Sequence, residues 1–210
     1  TNKESKDKEM KEIMEEYSTT FFECMSAWPD DIKEDIYKLY AYLRVCDEMV
    51  EGERTLHDFK HWREVIEEFY VVSDKYQFEG EWLSDFHISM YQDMIKKEHS
   101  IVSMLDYCKG SAEAVGMMMS KILGCHPRCE PHARALGRAF QVINFIRDYD
   151  EDVANGYNYI TDNFSAYLEI FYQDLDNGMD GIDYIPKELQ PPILMAVEKY
   201  MAVAKKVSEA

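Results

Sequence analysis

Two stretches decide how this chain folds: Tyr40-Ala41-Tyr42-Leu43-Arg44-Val45-Cys46-Asp47-Glu48-Met49-Val50-Glu51 and Gln141-Val142-Ile143-Asn144-Phe145-Ile146-Arg147-Asp148-Tyr149-Asp150-Glu151-Asp152. Asp47 and Glu51 stand four apart, and Asn144, Asp148 and Asp152 repeat that step twice. On a helix this spacing stacks side chains along one face. Stacked like charges repel, so the arrangement costs stability unless a cation sits among them. Each acidic set also continues an apolar stripe: Ile32, Ile36, Leu39, Tyr40 and Leu43 lead to Asp47, and Leu136, Phe140 and Gln141 lead to Asn144, Asp148 and Asp152. Both therefore point inward, where unpaired polar groups are expensive. Two such faces meeting across a helical bundle make a site for divalent cations such as Mg²⁺, which take oxygen ligands and share them with substrate phosphates.

Working outward, glycine (9) and proline (6) are scarce and fall between long segments of helical period. Helices are predicted over 5–27, 31–51, 58–77, 81–99, 102–124, 130–155, 165–178 and 187–208. Asp30 or Asp31 serves as N-cap of the second. Breaks are predicted at Gly80, from Gly124 to Pro131, and from Gly178 to Pro186. No useful β-alternation, repeat or low-complexity block interrupts the pattern. The fold class is all-α, and 210 residues with 46% hydrophobic content suit one domain with a sizeable core.

A formal charge of −18 and a pI near 4.7 exclude nucleic acid as a partner. They also disfavour simple electrostatic docking on anionic lipid. An acidic protein still binds a diphosphate if metal ions invert the local charge. Five cysteines without framework spacing, no recognisable secretory leader and no long apolar run lead to the expectation of a cytoplasmic, reduced protein.

Cationic partners for a diphosphate accompany the carboxylates. Arg44 lies one turn before Asp47 and Arg147 adjoins Asp148, and guanidinium groups recognise phosphate bidentately. Intrahelical ion pairing is the plainer reading of both. Glu48, Asp150 and Glu151 read as solvated surface. Gly110 and Gly116 fall inside a helical pattern, where each costs about 1 kcal/mol against alanine, so another helix or a ligand approaches there; helix packing is the simpler account. Most of the thirteen methionines belong to the core, and a few could line a long apolar tunnel. Cys125, His126, Cys129 and His132 lack the paired spacing of a zinc site. No histidine follows a glutamate at the spacing a di-iron bundle needs.

These residues resemble the squalene/phytoene synthase family of head-to-head prenyl synthases. Tyr40, Arg44, Asp47, Glu48 and Glu51 are similar to its first aspartate-rich motif. Gln141, Asn144, Arg147, Asp148, Glu151 and Asp152 are similar to its second, the more specific match. The run Tyr107-Cys108-Lys109-Gly110-Ser111-Ala112 resembles the helix between them, Ser18-Thr19-Thr20-Phe21-Phe22 the family's start, and Tyr184-Ile185-Pro186 with Ala196 and Tyr200 its closing helix. The resemblance implies a single-domain isoprenoid synthase bundle around a central cavity, spanning 1–210. It implies two or three Mg²⁺ ions, with Mn²⁺ as a substitute, held by Asp47, Glu51, Asn144, Asp148 and Asp152, while the lack of a glycine-rich dinucleotide fingerprint favours no nicotinamide cofactor. Catalytic roles fall to Asp47, Glu51, Asp148, Asp152, Arg44 and Tyr40, and substrate contacts to Ser18, Arg44, Tyr107, Lys109, Gln141, Asn144, Arg147 and Tyr200.

The chain departs from the family pattern in three places. Glu51 stands where aspartate is usual. Gly156-Tyr157-Asn158-Tyr159-Ile160-Thr161 lacks the family's arginine and proline, and the connection near Thr161 is shortened, as is the C-terminal end. The implied reaction joins two allylic diphosphates through a cyclopropyl diphosphate. Two geranylgeranyl diphosphates giving phytoene are favoured on the Lys109-Gly110-Ser111-Ala112 run, with farnesyl diphosphate and squalene or dehydrosqualene as the alternative. The competing readings are a prenyl diphosphatase or terpene cyclase on the same site, and a non-catalytic assembly homologue. A hydrocarbon product further implies membrane contact on release.

Overall fold

The computed structural model describes residues 19–52, 55–58 and 60–209, with Glu4, Ser5 and Lys8 besides. From Thr19 onward the α-helices are, in chain order, α1 (Thr19–Cys24), α2 (Asp30–Glu51), α3 (Trp62–Tyr76), α4 (Gly80–Ile95), α5 (Ile101–Cys108), α6 (Ala114–Ile122), α7 (Glu130–Arg147), α8 (Tyr149–Ala154), α9 (Phe164–Asp180) and α10 (Gln190–Glu209). A π-helical segment, Lys109–Glu113, joins α5 to α6. No strand occurs among the described residues; the sole β-type contact there is an isolated bridge between Glu98 and Asn158. The all-α expectation holds.

The predicted boundaries mark real punctuation. Gly52 ends α2 in the left-handed conformation at φ 75°, where a residue without Cβ carries no strain. Pro29 rather than Asp30 or Asp31 occupies the N-cap of α2, and the two aspartates fall in the first turn, where they complement the helix dipole. The predicted 130–155 helix is two helices. The break falls on Asp148, at φ −97° and ψ 12°, so the second acidic stretch turns a corner at its central aspartate.

Neighbouring helices run antiparallel, as contacts of constant sequence sum require. Along α2 and α3, Asp35 accepts from Lys75 Nζ at 2.7 Å, while Tyr42 stacks on Phe69 with ring centroids 3.9 Å apart. Along α7 and α9, Arg138 grips both Asp174 oxygens at 2.6 and 2.7 Å. Across α4 and α5, Ser89 Oγ donates to the Tyr107 carbonyl at 2.8 Å. Trp28 Nε1 donates to the Leu189 carbonyl, tying the entry of α2 to the segment before α10. One hydrophobic core runs through these helices, with Ile36, Leu39, Phe69, Met104, Met118, Ile143, Tyr167 and Phe171 essentially inaccessible. No helix among the described residues is long and apolar enough to cross a membrane.

The two helical glycines act as close-approach points. A Cβ at Gly110 would lie 1.8 Å from the Asp85 carbonyl oxygen, and one at Gly116 2.5 Å from that of Ala133. Gly137 meets Ala112 in the same reciprocal way, so α7 rests directly on the backbone of the π segment and α6. Packing is therefore the reason for these glycines. Gly110→Ala is expected to cost about 3 kcal/mol through forced backbone shift, whereas Gly80→Ala, with nothing within 4 Å of the new methyl, should stabilise by about 0.5 kcal/mol. Urea denaturation midpoints of the two variants measure both.

Candidate functional site

The C-terminal halves of α2 and α7 bring the two acidic stretches to one cavity of about 370 Å³. Tyr40, Arg44, Asp47 and Glu51 line it from α2. Gln141, Asn144, Arg147 and Asp148 line it from α7, and Asp152 from α8. Tyr107 and Tyr200 complete the set. Of the thirteen residues singled out from the sequence, twelve fall among the described residues. Eleven of the twelve line a single space, and Ser18 lies outside the described residues.

The exception is Lys109. It is exposed, its Nζ stands 4.0 Å from Asp85 Oδ1, and it does not line the cavity. Two residues on from Tyr107, Lys109 lies about 200° round the helix and faces away from the cavity, while Tyr107, Ser111 and Ala112 line it. Glu48 also departs from expectation. It is fully buried rather than solvated, and its Oε1 accepts from Arg44 at 2.9 and 3.2 Å. Asp150 and Glu151 are exposed, as read.

Each arginine is held by its own helix. Arg44 Nη1 donates to Asp47 Oδ2 at 2.8 Å, and Arg147 donates to both oxygens of Asp148 at 2.8 and 3.1 Å. Burial would lower the Arg44 pKa, but Asp47, Glu51 and Glu48 outweigh it and keep the guanidinium charged. Among the described residues Asp152 has no such neighbour. Burial, reinforced by Asp148, Glu151, Asp47 and Asp93, pushes its carboxyl up to about 7. That Asp47 contributes to this rise means that the two acidic faces share one electrostatic field.

The donor set fits a hard divalent cation. Every cavity candidate is an oxygen ligand, and the buried Asn144 Oδ1 has no hydrogen-bond partner, although the Asn144 side chain also bonds Tyr200. Among the described residues, no three His, Cys, Asp or Glu side chains converge closely enough to hold an ion by themselves. Magnesium commonly uses one or two carboxylates and completes its shell with phosphate oxygens and water.

Aromatic walls continue from the acidic end. Phe145 and Tyr159 stack at 4.2 Å, and Phe140 packs on Tyr200 at 4.8 Å. At the far end, near the start of α7, Met119, Leu123, Cys125, Cys129 and His132 line the cavity. The cysteine–histidine loop therefore contributes to the apolar end of the cavity. Sequence reasoning missed Tyr159, which lies in the stretch that departs from the family pattern. It also missed the buried Asp93 behind it, although Trp82, Phe86, Ser89, Met90 and Asp93 share the helical period that marks an inward face.

A family model described as squalene/phytoene synthase matches residues 14–170. The chain belongs to the squalene/phytoene synthase family. Its members are prenyltransferases that join prenyl diphosphates head to head, and the family uses divalent metal ions to bind diphosphate. A 4,4'-diapophytoene synthase from Staphylococcus haemolyticus is 22% identical over 95% of this chain and 86% of its own length. A chloroplastic phytoene synthase from an Oncidium hybrid cultivar is 25% identical over 80% of this chain, which spans 47% of that protein's length. The fold matches the crystal structure of a squalene synthase from Alicyclobacillus acidocaldarius with a TM-score of 0.80 at 16% identity, covering 97% of this chain and 93% of the other.

The raised Asp152 gives a stability test with a defined sign. A carboxyl whose folded pKa exceeds its unfolded one costs nothing below the unfolded value near 4. The cost grows as pH rises and is complete above about 7. Asp152→Asn should therefore stabilise the metal-free protein at pH 8 by about 1–2 kcal/mol, after discounting for solvent screening. It should give no gain at pH 4. Thermal unfolding across that range in chelator checks it.

Proposed function

We propose that this protein condenses two allylic prenyl diphosphates head to head through a cyclopropyl diphosphate, with farnesyl diphosphate as substrate and dehydrosqualene as product. The observation carrying this reading is the union of both acidic stretches with aromatic walls in one cavity. Asp47, Glu51, Asn144, Asp148 and Asp152 would hold two or three Mg²⁺ ions, which take up negative charge on the departing diphosphate. Arg44 and Arg147 lie beside those carboxylates and supply planar donors to the phosphate oxygens. Tyr40, Gln141 and Tyr200 lie between the charged end and the apolar channel. There they orient the allylic carbon toward its partner chain. The rings of Phe145, Tyr107 and Tyr159 offer their faces to the cation left on ionisation and exclude water that would capture it as an alcohol.

Farnesyl diphosphate is preferred over geranylgeranyl diphosphate for two reasons. The diapophytoene synthase from Staphylococcus haemolyticus aligns with nearly the whole chain. The Lys109-Gly110-Ser111-Ala112 run that favoured a phytoene synthase has its lysine outside the cavity, so it says nothing of chain length. Release of an apolar product calls for contact with a lipid surface.

Incubation with labelled farnesyl or geranylgeranyl diphosphate and Mg²⁺, with and without nicotinamide cofactor, tests the reading. A thirty-carbon hydrocarbon formed from farnesyl diphosphate, independent of the nicotinamide, is the expected result. Asp47→Asn and Asp148→Asn should each lower kcat by about 100- to 1,000-fold, as loss of a transition-state charge contact does. Prenyl alcohol or a cyclic product alone would instead identify a diphosphatase or a cyclase.

A further inference from the structure

Asp93 is completely buried near the C-terminal end of α4, outside the acidic motifs. Both of its carboxylate oxygens are used, and both by tyrosines that line the cavity. Tyr107 Oη donates to Oδ2 at 2.6 Å, and Tyr159 Oη donates to Oδ1 at 2.9 Å. The nearby cation, Lys97, bonds the Asp93 carbonyl at 2.9 Å and the Tyr157 hydroxyl at 2.7 Å, and Asp93 forms no ion pair among the described residues. His99, also buried, stacks on Tyr159 at 5.4 Å and closes the network from behind.

Burying a carboxylate without a salt-bridge partner is costly, and a neutral side chain of similar shape would pack there more cheaply. An ionised carboxylate differs from its amide in one respect that matters here: it only accepts hydrogen bonds. Both phenols must then point their protons at it. Burial raises the pKa of Asp93, and the two tyrosine bonds and Lys97 offset only part of that rise, so the paired phenol donors are what favour the ionised acceptor. The phenols themselves are held far from ionisation, Tyr107 and Tyr159 both being raised first by burial and then by Asp93.

We propose that Asp93 is a positioning residue for the reaction: it fixes Tyr107 and Tyr159 with their hydroxyl protons turned out of the cavity, so the wall presents ring faces and oxygen lone pairs to a carbocation. The inference rests on the condensation reading above. It assigns Asp93 control over the fate of the cation, with no part in diphosphate binding.

The experiment compares wild type and Asp93→Asn with farnesyl diphosphate and Mg²⁺, quantifying hydrocarbon and prenyl alcohol together. The amide must offer protons to at least one phenol. Hydrocarbon kcat should fall about 10- to 100-fold, KM should stay within about twofold, and the alcohol share should rise. In a Tyr107→Phe/Tyr159→Phe background, which removes the groups that Asp93 acts through, the same substitution should change the product ratio by less than about twofold. A wild-type product ratio in a folded Asp93→Asn protein, or an undiminished effect in the phenylalanine background, overturns the proposal. If Asp93→Asn does not fold, Tyr159→Phe reads the same ratio, and an unchanged ratio is equally fatal. Failure of the wild type itself to form hydrocarbon overturns the condensation reading instead, and this inference with it.

Discussion

Mutual repulsion among carboxylates is the constraint around which this molecule is arranged. Two unit charges 4 Å apart near a protein surface interact by about 4 kcal/mol, and this cavity gathers Asp47, Glu51, Asp148 and Asp152 along one wall and the next. Position adds to the difficulty for Asp47 and Glu51, which lie at the C-terminal end of α2, where the helix dipole already disfavours negative charge, whereas Asp148 and Asp152 stand at the start of α8. Arg44 and Arg147 offset part of it by gripping Asp47 and Asp148. Asp152 is left to carry the remainder as a carboxyl that resists ionisation. A site so arranged has an appetite for positive charge, and that appetite is its binding energy.

Holding such a site open requires a stiff frame. The frame is made by backbone contact as much as by side-chain interdigitation. Gly116 and Gly137 face Ala133 and Ala112 across the α6–α7 contact, so neither helix can slide without a carbonyl meeting a Cα. The Arg138–Asp174 pair and the approach of Gly178 to Leu136 fasten α9 along the other side of α7. With α7 clamped on both flanks, the bearing of Asn144 and Asp148 is set by the bundle and not by the loops.

The fold and the charged end of the site were legible in the sequence because both depend on period. Helical spacing predicts α2, α3 and the start of α7 within a few residues, and the continuation of apolar stripes into Asp47 and Asp148 puts those aspartates inside. What period cannot register is a change of period. The π segment at Lys109–Glu113 and the turn at Asp148 each interrupt what reads as one helix. Glu48 escaped because a neighbouring arginine four residues back, not a stripe, is what makes its burial tolerable. Tyr159 sits in an irregular segment where no spacing rule applies, and its partner Asp93 becomes meaningful only once three separate helices and a loop are brought together.

The π segment at Lys109–Glu113 has a consequence of its own. A single surplus residue inside a helix advances everything after it by roughly 100° of azimuth. An uninterrupted α-helix would set Val115 about 80° and Met119 about 120° round from Tyr107, and the wide π turn absorbs that offset, so all three face the same channel. Tightening that turn into regular α-helix without removing a residue would leave a better helix and a worse enzyme, with the polar gatehouse intact and the hydrocarbon corridor beyond it turned to face the wrong neighbours.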